Sequence, residues 1–162
     1  MVAKGPSEEG HELMKTNLDM ASASGAGWVN PWLRLHLSLS HAQRGEYQIG
    51  MDVLRRARGN AQSLGDTWVL GLLDLAEAKI LEIRGEVSAA CDVLERTIDY
   101  AREQPSRGVE LRATTSLARL WQRQGHAKKA KELLVPHYNS FTEGFDTKDL
   151  IDAKALLDQM SG

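Results

Sequence analysis

Apolar residues recur along this chain every three or four positions with polar residues between them, the spacing that lays one apolar stripe along a helix. Leu13, Leu18 and Met20 mark such a stripe over residues 7–22. Trp68, Leu72, Leu75 and Ile80 mark another, and Val87, Ala90, Val93 and Leu94 a third. Breakers separate the stripes: the small-residue run 21–27, Gly65-Asp66, Gln104-Pro105 and the turn Phe141 to Phe145. Asn30-Pro31 is a helix start, since asparagine caps free N–H groups and proline at the first position sacrifices no hydrogen bond. Helices are therefore predicted over 7–22, 31–44, 46–64, 67–84, 86–103, 107–124, from 127 into a kink or stop near Pro136, and from Asp146 or Thr147 to 157. Asp66 or Thr67 is the predicted cap of the fourth. The expected class is all-α with about eight helices.

The pattern also repeats at long range. Gly45, Gly85 and Gly125 stand 40 residues apart. Five residues after each comes a small residue (Gly50, Ala90, Ala130), followed by Val53-Leu54, Val93-Leu94 and Leu133-Leu134. Four before each come His41, Leu81 and Trp121, and seven before come Ser38, Ala78 and Ala118. A glycine takes the left-handed conformation that ends a helix at little cost, so each marks a reversal between two helices. The small residues allow the paired helices to approach closely, and the apolar pairs seal them. Such hairpins leave one face uncovered and stack into a right-handed α-solenoid of antiparallel helical hairpins, with about three repeats needed for stability. Residues 1–26 are expected to be an N-terminal helix and flexible break, and 27–162 three hairpins with a C-terminal capping helix.

Composition narrows the function. The 162 residues suit one domain, and 42% hydrophobic with 26% charged residues is ordinary for a folded protein. A net charge of -2 argues against direct nucleic-acid binding, which calls for a basic face. The single cysteine, Cys91, lies in an apolar helical pattern and reads as a small hydrophobe. No run approaches the ~20 apolar residues of a membrane span, and the polar N-terminus lacks the apolar run of a signal peptide. No membrane partner and a cytoplasmic location are expected.

The 40-residue hairpins resemble tetratricopeptide repeats, lengthened beyond their usual ~34 residues. The segment Glu110 to Gly125 (ELRATTSLARLWQRQG), with Phe141-Thr-Glu-Gly-Phe-Asp146-Thr147, Asp149-Leu150 and Ala153 to Asp158, resembles something narrower. It is similar to the tetratricopeptide-like C-terminal region of large bacterial signalling and regulator proteins. In those, class III adenylate or guanylate cyclase domains, or DNA-binding regulator domains, precede an ATPase module and a helical tail. The resemblance implies a regulatory or scaffolding role for this chain.

No chemistry accompanies it. The chain has no G-x-x-x-x-G-K-[ST] phosphate loop, and Ser24 to Gly27 lacks the lysine. The five histidines are scattered, and Gly10-His11-Glu12 continues as Leu-Met-Lys without the second histidine of a zinc motif. His36 and His41 point about 140° apart on a helix and do not share a metal. Ser38, Ser40 and His41 have no acid placed nearby. No catalytic residue, cofactor or metal is expected, and all four tryptophans are assigned to the core, Trp32 least firmly of them.

Binding is expected instead on the concave face lined by first helices. The glycine register places Trp32, Leu35 and Leu39, then Lys79 and Glu82, then Arg112, Arg119 and Gln122 on it, passing from apolar to basic. The expected partner is a protein or peptide; the gradient would suit one with an apolar end and an acidic or carboxylate end, but Trp32, Leu35 and Leu39 are expected to be covered by the N-terminal helix or by further repeats upstream. A small ligand that biases a linked effector is the alternative. The chain by itself is expected to turn over no nucleotide; phosphate-release assays with ATP and GTP check this, and measurable hydrolysis overturns the non-catalytic reading.

Overall fold

The computed structural model describes residues 7–23, 31–65, 67–104 and 106–161. Among the described residues there are eight α-helices and no strand: α1 (Glu8–Ala23), α2 (Pro31–Gln43), α3 (Tyr47–Leu64), α4 (Leu70–Arg84), α5 (Val87–Glu103), α6 (Arg107–Arg123), α7 (Ala127–Asn139) and α8 (Lys148–Gln159). The chain divides into two compact units, Met1–Glu86 and Val87–Gly162. Of the break expected at 21–27, residues 21–23 are still helical and close α1, while 24–27, the Asn30 cap, Trp28, the Trp32 side chain, Asp66 and Pro105 lie outside the described residues.

The three repeat glycines all end a helix in the same way. Gly45, Gly85 and Gly125 have φ of 81°, 88° and 85°, a region that side chains disfavour. The N–H groups of Glu46, Glu86 and His126 donate to the carbonyls of His41, Leu81 and Trp121, at 2.9, 2.9 and 2.8 Å. This six-to-one bond satisfies a helix-end carbonyl and points the chain away from its own axis. The repeated sequence register is thus a repeated hydrogen-bond register.

In the first unit α2 and α3 form an antiparallel hairpin, α4 packs against both, and α1 packs against α2. Gly50 is where the hairpin is tightest. A Cβ there would stand 2.7 Å from the Ser38 carbonyl oxygen and 3.4 Å from Ile80 Cδ1, so hydrogen is the substituent that fits. Leu37, Leu54, Val69, Leu73 and Ile80 fill the core around this contact. Arg58 of α3 bonds Asp74 and Glu77 of α4 at 2.5 and 2.9 Å, fixing their relative slide.

In the second unit α6 is central, contacted by α5, α7 and α8, and α8 lies against α6 as α4 lies against α2. Leu94, Ile98, Leu117, Leu134, Leu150 and Leu156 are buried. Ala90, Ala118 and Ala130, small at their repeat positions, are completely enclosed. Pro136 falls inside α7, which ends within one further turn at Asn139.

Three local expectations change. The predicted stripe of α1 is mostly outward: Leu13 and Met20 are 62% and 66% exposed, while His11 is the buried residue. Leu18 is half-buried, so the docked face follows 11, 14 and 18, and the histidine rather than the leucine decides which way the helix turns. Trp68 is 57% exposed rather than core. It sits in a 3-10 turn, Thr67–Val69, whose tighter winding sends Val69 inward in its place. That turn also makes Val69, not Thr67, the residue preceding α4.

Two glycine substitutions in α3 are expected to have opposite signs. Gly50→Ala forces two backbones apart and should destabilise by about 1–3 kcal/mol. Gly59→Ala, with nothing within 4 Å of its Cβ, should stabilise by about 0.5–1 kcal/mol through helix propensity. Urea denaturation of the two variants beside the parent checks both.

Candidate partner-binding surface

The residues predicted to line the first-helix face fall into separate groups. In the first unit Leu35 and Leu39 of α2 are half-buried. Lys79 of α4 is exposed, and its ammonium donates to Glu82 at 2.8 Å, one turn along the same helix. That pairing is the ordinary solvated kind, and it offsets the charge either residue would offer a partner.

The second unit gathers its predicted residues. Arg112 and Arg119 are two turns apart on α6 and share one face. With Thr115, Ser116, Asp149 and Asp152 they line a cleft of about 80 Å³ between α6 and α8. Arg112 Nε donates to Asp149 Oδ2 at 2.7 Å, so its charge is already met by α8. Arg119, beside it, carries no ion pair among the described residues. Thr115 is 5% exposed, and its hydroxyl is buried without a hydrogen-bond partner. A buried hydroxyl left unsatisfied costs free energy.

Gln122 is half-buried one turn further along. Next to it Trp121 is core, as expected, with Lys129 Nζ 3.6 Å from the centre of its ring. Sequence register found the two arginines and missed the rest. Thr115 and Ser116 lie between the arginines at helical spacing, and Asp149 and Asp152 are an i, i+3 acidic pair on the last helix. Only the packing of α8 on α6 shows that these groups face one another.

A second polar cluster lies in the first unit. His11 Nδ1 is 2.7 Å from Ser40 Oγ, and His41 Nδ1 donates to Glu46 Oε2 at 2.6 Å. Glu46 supplies the acid that the sequence reading did not find beside Ser40 and His41. No catalytic triad results, because the hydroxyl pairs with one histidine and the acid with the other. The bond from His41 holds the Glu46 carboxyl below the ordinary carboxylate range, with Arg44 adding to it. Arg44 also bonds Glu8, tying α1 to the end of α2, and holds that carboxyl low.

Comparison with known proteins agrees with the helical-repeat architecture. Tetratricopeptide repeat protein 29 of Macaca fascicularis is 27% identical over 124 residues, 76% of this chain. Its human counterpart is 28% identical over the same length. The chain spans 25% of the length of these relatives. No family model matches the chain, and no solved structure matches it significantly. The chain thus carries tetratricopeptide-like helical repeats in an all-α fold. No described helix is long and apolar enough to cross a membrane.

Cys91 is half-buried in α5. Burial pushes its thiol up from the ordinary range, and the Glu95 and Asp92 carboxylates push it further. A raised thiol holds less thiolate at any given pH, and the thiolate is the reactive form. Cys91 should therefore react with a disulfide reagent more slowly than free cysteine at neutral pH and accelerate only in alkaline buffer. A stopped-flow pH series checks this.

Proposed function

We infer that this chain is a non-catalytic interaction module that holds a peptide or partner domain on the face of its first helices, with Arg119 as the principal anchor. The observation that carries the reading is the cleft between α6 and α8, lined by Arg119, which has no ion pair among the described residues, and by Thr115, whose buried hydroxyl has no hydrogen-bond partner. A partner carboxylate supplies what both lack, taking charged hydrogen bonds from the guanidinium and accepting one from the hydroxyl. Asp152 at the same cleft is already paired with Lys148 Nζ at 2.6 Å, as Asp149 is with Arg112, which leaves Arg119 as the cation open to a partner. Gln122, one turn along α6, is a secondary contact, whereas Trp32, Lys79 and Glu82 belong to the other unit and are candidates by register alone.

The setting we propose is the regulatory tail of a cytoplasmic bacterial signalling protein. Its support is the resemblance of residues 110–125 and 141–158 to such tails; the two relatives above are primate proteins and lend this setting nothing. In that setting the bound partner biases a linked cyclase, ATPase or regulator domain.

The test is a screen of the purified chain against peptides with acidic or free-carboxylate ends, their amidated versions and a metabolite panel, read by fluorescence polarisation. Carboxylate peptides should bind, and Arg119→Ala should weaken them roughly tenfold or more, the worth of one charged hydrogen bond. Lys79→Ala should change little. Binding of metabolites alone, or of peptides indifferently to Arg119, sinks the reading.

A further inference from the structure

Where the second and third repeats place Leu81 and Trp121 four residues before the turn glycine, the first repeat places His41. The position is buried in all three. An imidazole there gives up the apolar packing its counterparts have, and a second imidazole, His11, comes from α1 to meet it. The two rings stand edge to face with centres 4.6 Å apart. Both residues are more than nine-tenths buried, at 4% and 8% exposure. Glu46, which leads into α3, completes the group, and one ligand atom from each of the three lies within 4.8 Å of the others.

We propose that His11, His41 and Glu46 form a binding site for a divalent transition-metal ion of the zinc type, which fastens the N-terminal helix to the first hairpin. Two imidazoles and a carboxylate are a donor set that zinc favours, with a fourth position left for water. The ligand atoms of a tetrahedral zinc stand roughly 3.3 Å apart, closer than the 4.8 Å within which this group lies, so an ion would draw the three side chains together. Groups that would orient these ligands are already in contact with them. Ser40 Oγ engages His11 Nδ1 at 2.7 Å, which leaves the other ring nitrogen of His11 for the ion. His41 Nδ1 donates to Glu46 Oε2 at 2.6 Å, so the carboxylate acts either as ligand or as orienter of the imidazole. The nearby cation, Arg44, is taken up by Glu8 and lies 3.6 Å from Glu46 Oε1, the oxygen that His41 does not use. The Glu46 side chain is 37% exposed, so one member of the group is in reach of solvent. Each donor comes from a different segment, so the ion would act as a staple across α1, the end of α2 and the start of α3.

The 162-residue chain, stripped with chelator and then titrated with zinc chloride in a calorimeter, tests the proposal. One equivalent should bind at micromolar concentration or tighter, and cobalt in its place should give the visible bands of a four-coordinate nitrogen and oxygen site. His11→Gln and His41→Gln should each weaken binding at least tenfold, Glu46→Gln less, and His36→Gln, exposed on the same helix, not at all. Because a variant of a buried histidine can lose fold instead of ligand, imidazole resonances of the unaltered protein provide a second reading. Zinc should shift those of His11 and His41 and leave His36 and His126 in place. Binding weaker than millimolar, binding unchanged by His11→Gln in a folded variant, or shifts confined to the exposed histidines would overturn the proposal.

Discussion

How near two helix backbones can come sets the terms for the rest of this molecule. At Gly50 the answer is a carbonyl oxygen 2.7 Å from where a side chain would begin, and at Ala90 and Ala130 a single methyl group with no exposure. Helices this close bury their apolar stripes with few gaps, and dense packing is what offsets the entropy of ordering so short a chain. Close approach also demands an abrupt reversal between partners. The left-handed glycines and their six-to-one hydrogen bonds supply it in the same form each time.

The hairpin registers were legible in the sequence because backbone constraints write themselves as residue identity. A positive φ calls for glycine, and a close contact calls for a small side chain; both recur at the same spacing. Side-chain facing was less legible. The stripe through Leu13 and Met20 predicted an α1 oriented the other way, because periodicity weighs a leucine above a histidine and cannot know that His41 waits opposite. Trp68 was misplaced for a similar reason, since a three-residue 3-10 turn shifts the phase of everything near it. The two polar clusters were half visible. Arg112 and Arg119 follow from register on one helix, but Asp149 is 37 residues from its partner, and His11 is 29 residues from Ser40. Spacing rules for metal and catalytic motifs operate within a helix or loop, and both clusters are assembled between helices.

The buried hydroxyls of this chain differ in whether their hydrogen bonds are made. Ser38 Oγ donates to the Leu35 carbonyl at 2.6 Å, and Thr97 Oγ1 to Val93 at 2.7 Å, each turning its hydroxyl back on its own helix. These are apolar positions occupied by polar residues that have been silenced. Thr115 makes no such bond, and it faces a cleft. Thr114 also lacks a partner, and nothing in the structure explains it.

Within each unit, the helices that touch are neighbours in sequence or one helix removed, as α4 is from α2 and α8 from α6. Closing so short a loop costs little chain entropy, and the cost grows only slowly with length. Topologies built from such local contacts fold in microseconds to milliseconds, where sandwiches of similar size take far longer. The same locality loosens the constraint on repeat number. A hairpin added or removed whole leaves the course of the others unchanged, so the 40-residue period is a modular unit as well as a unit of packing.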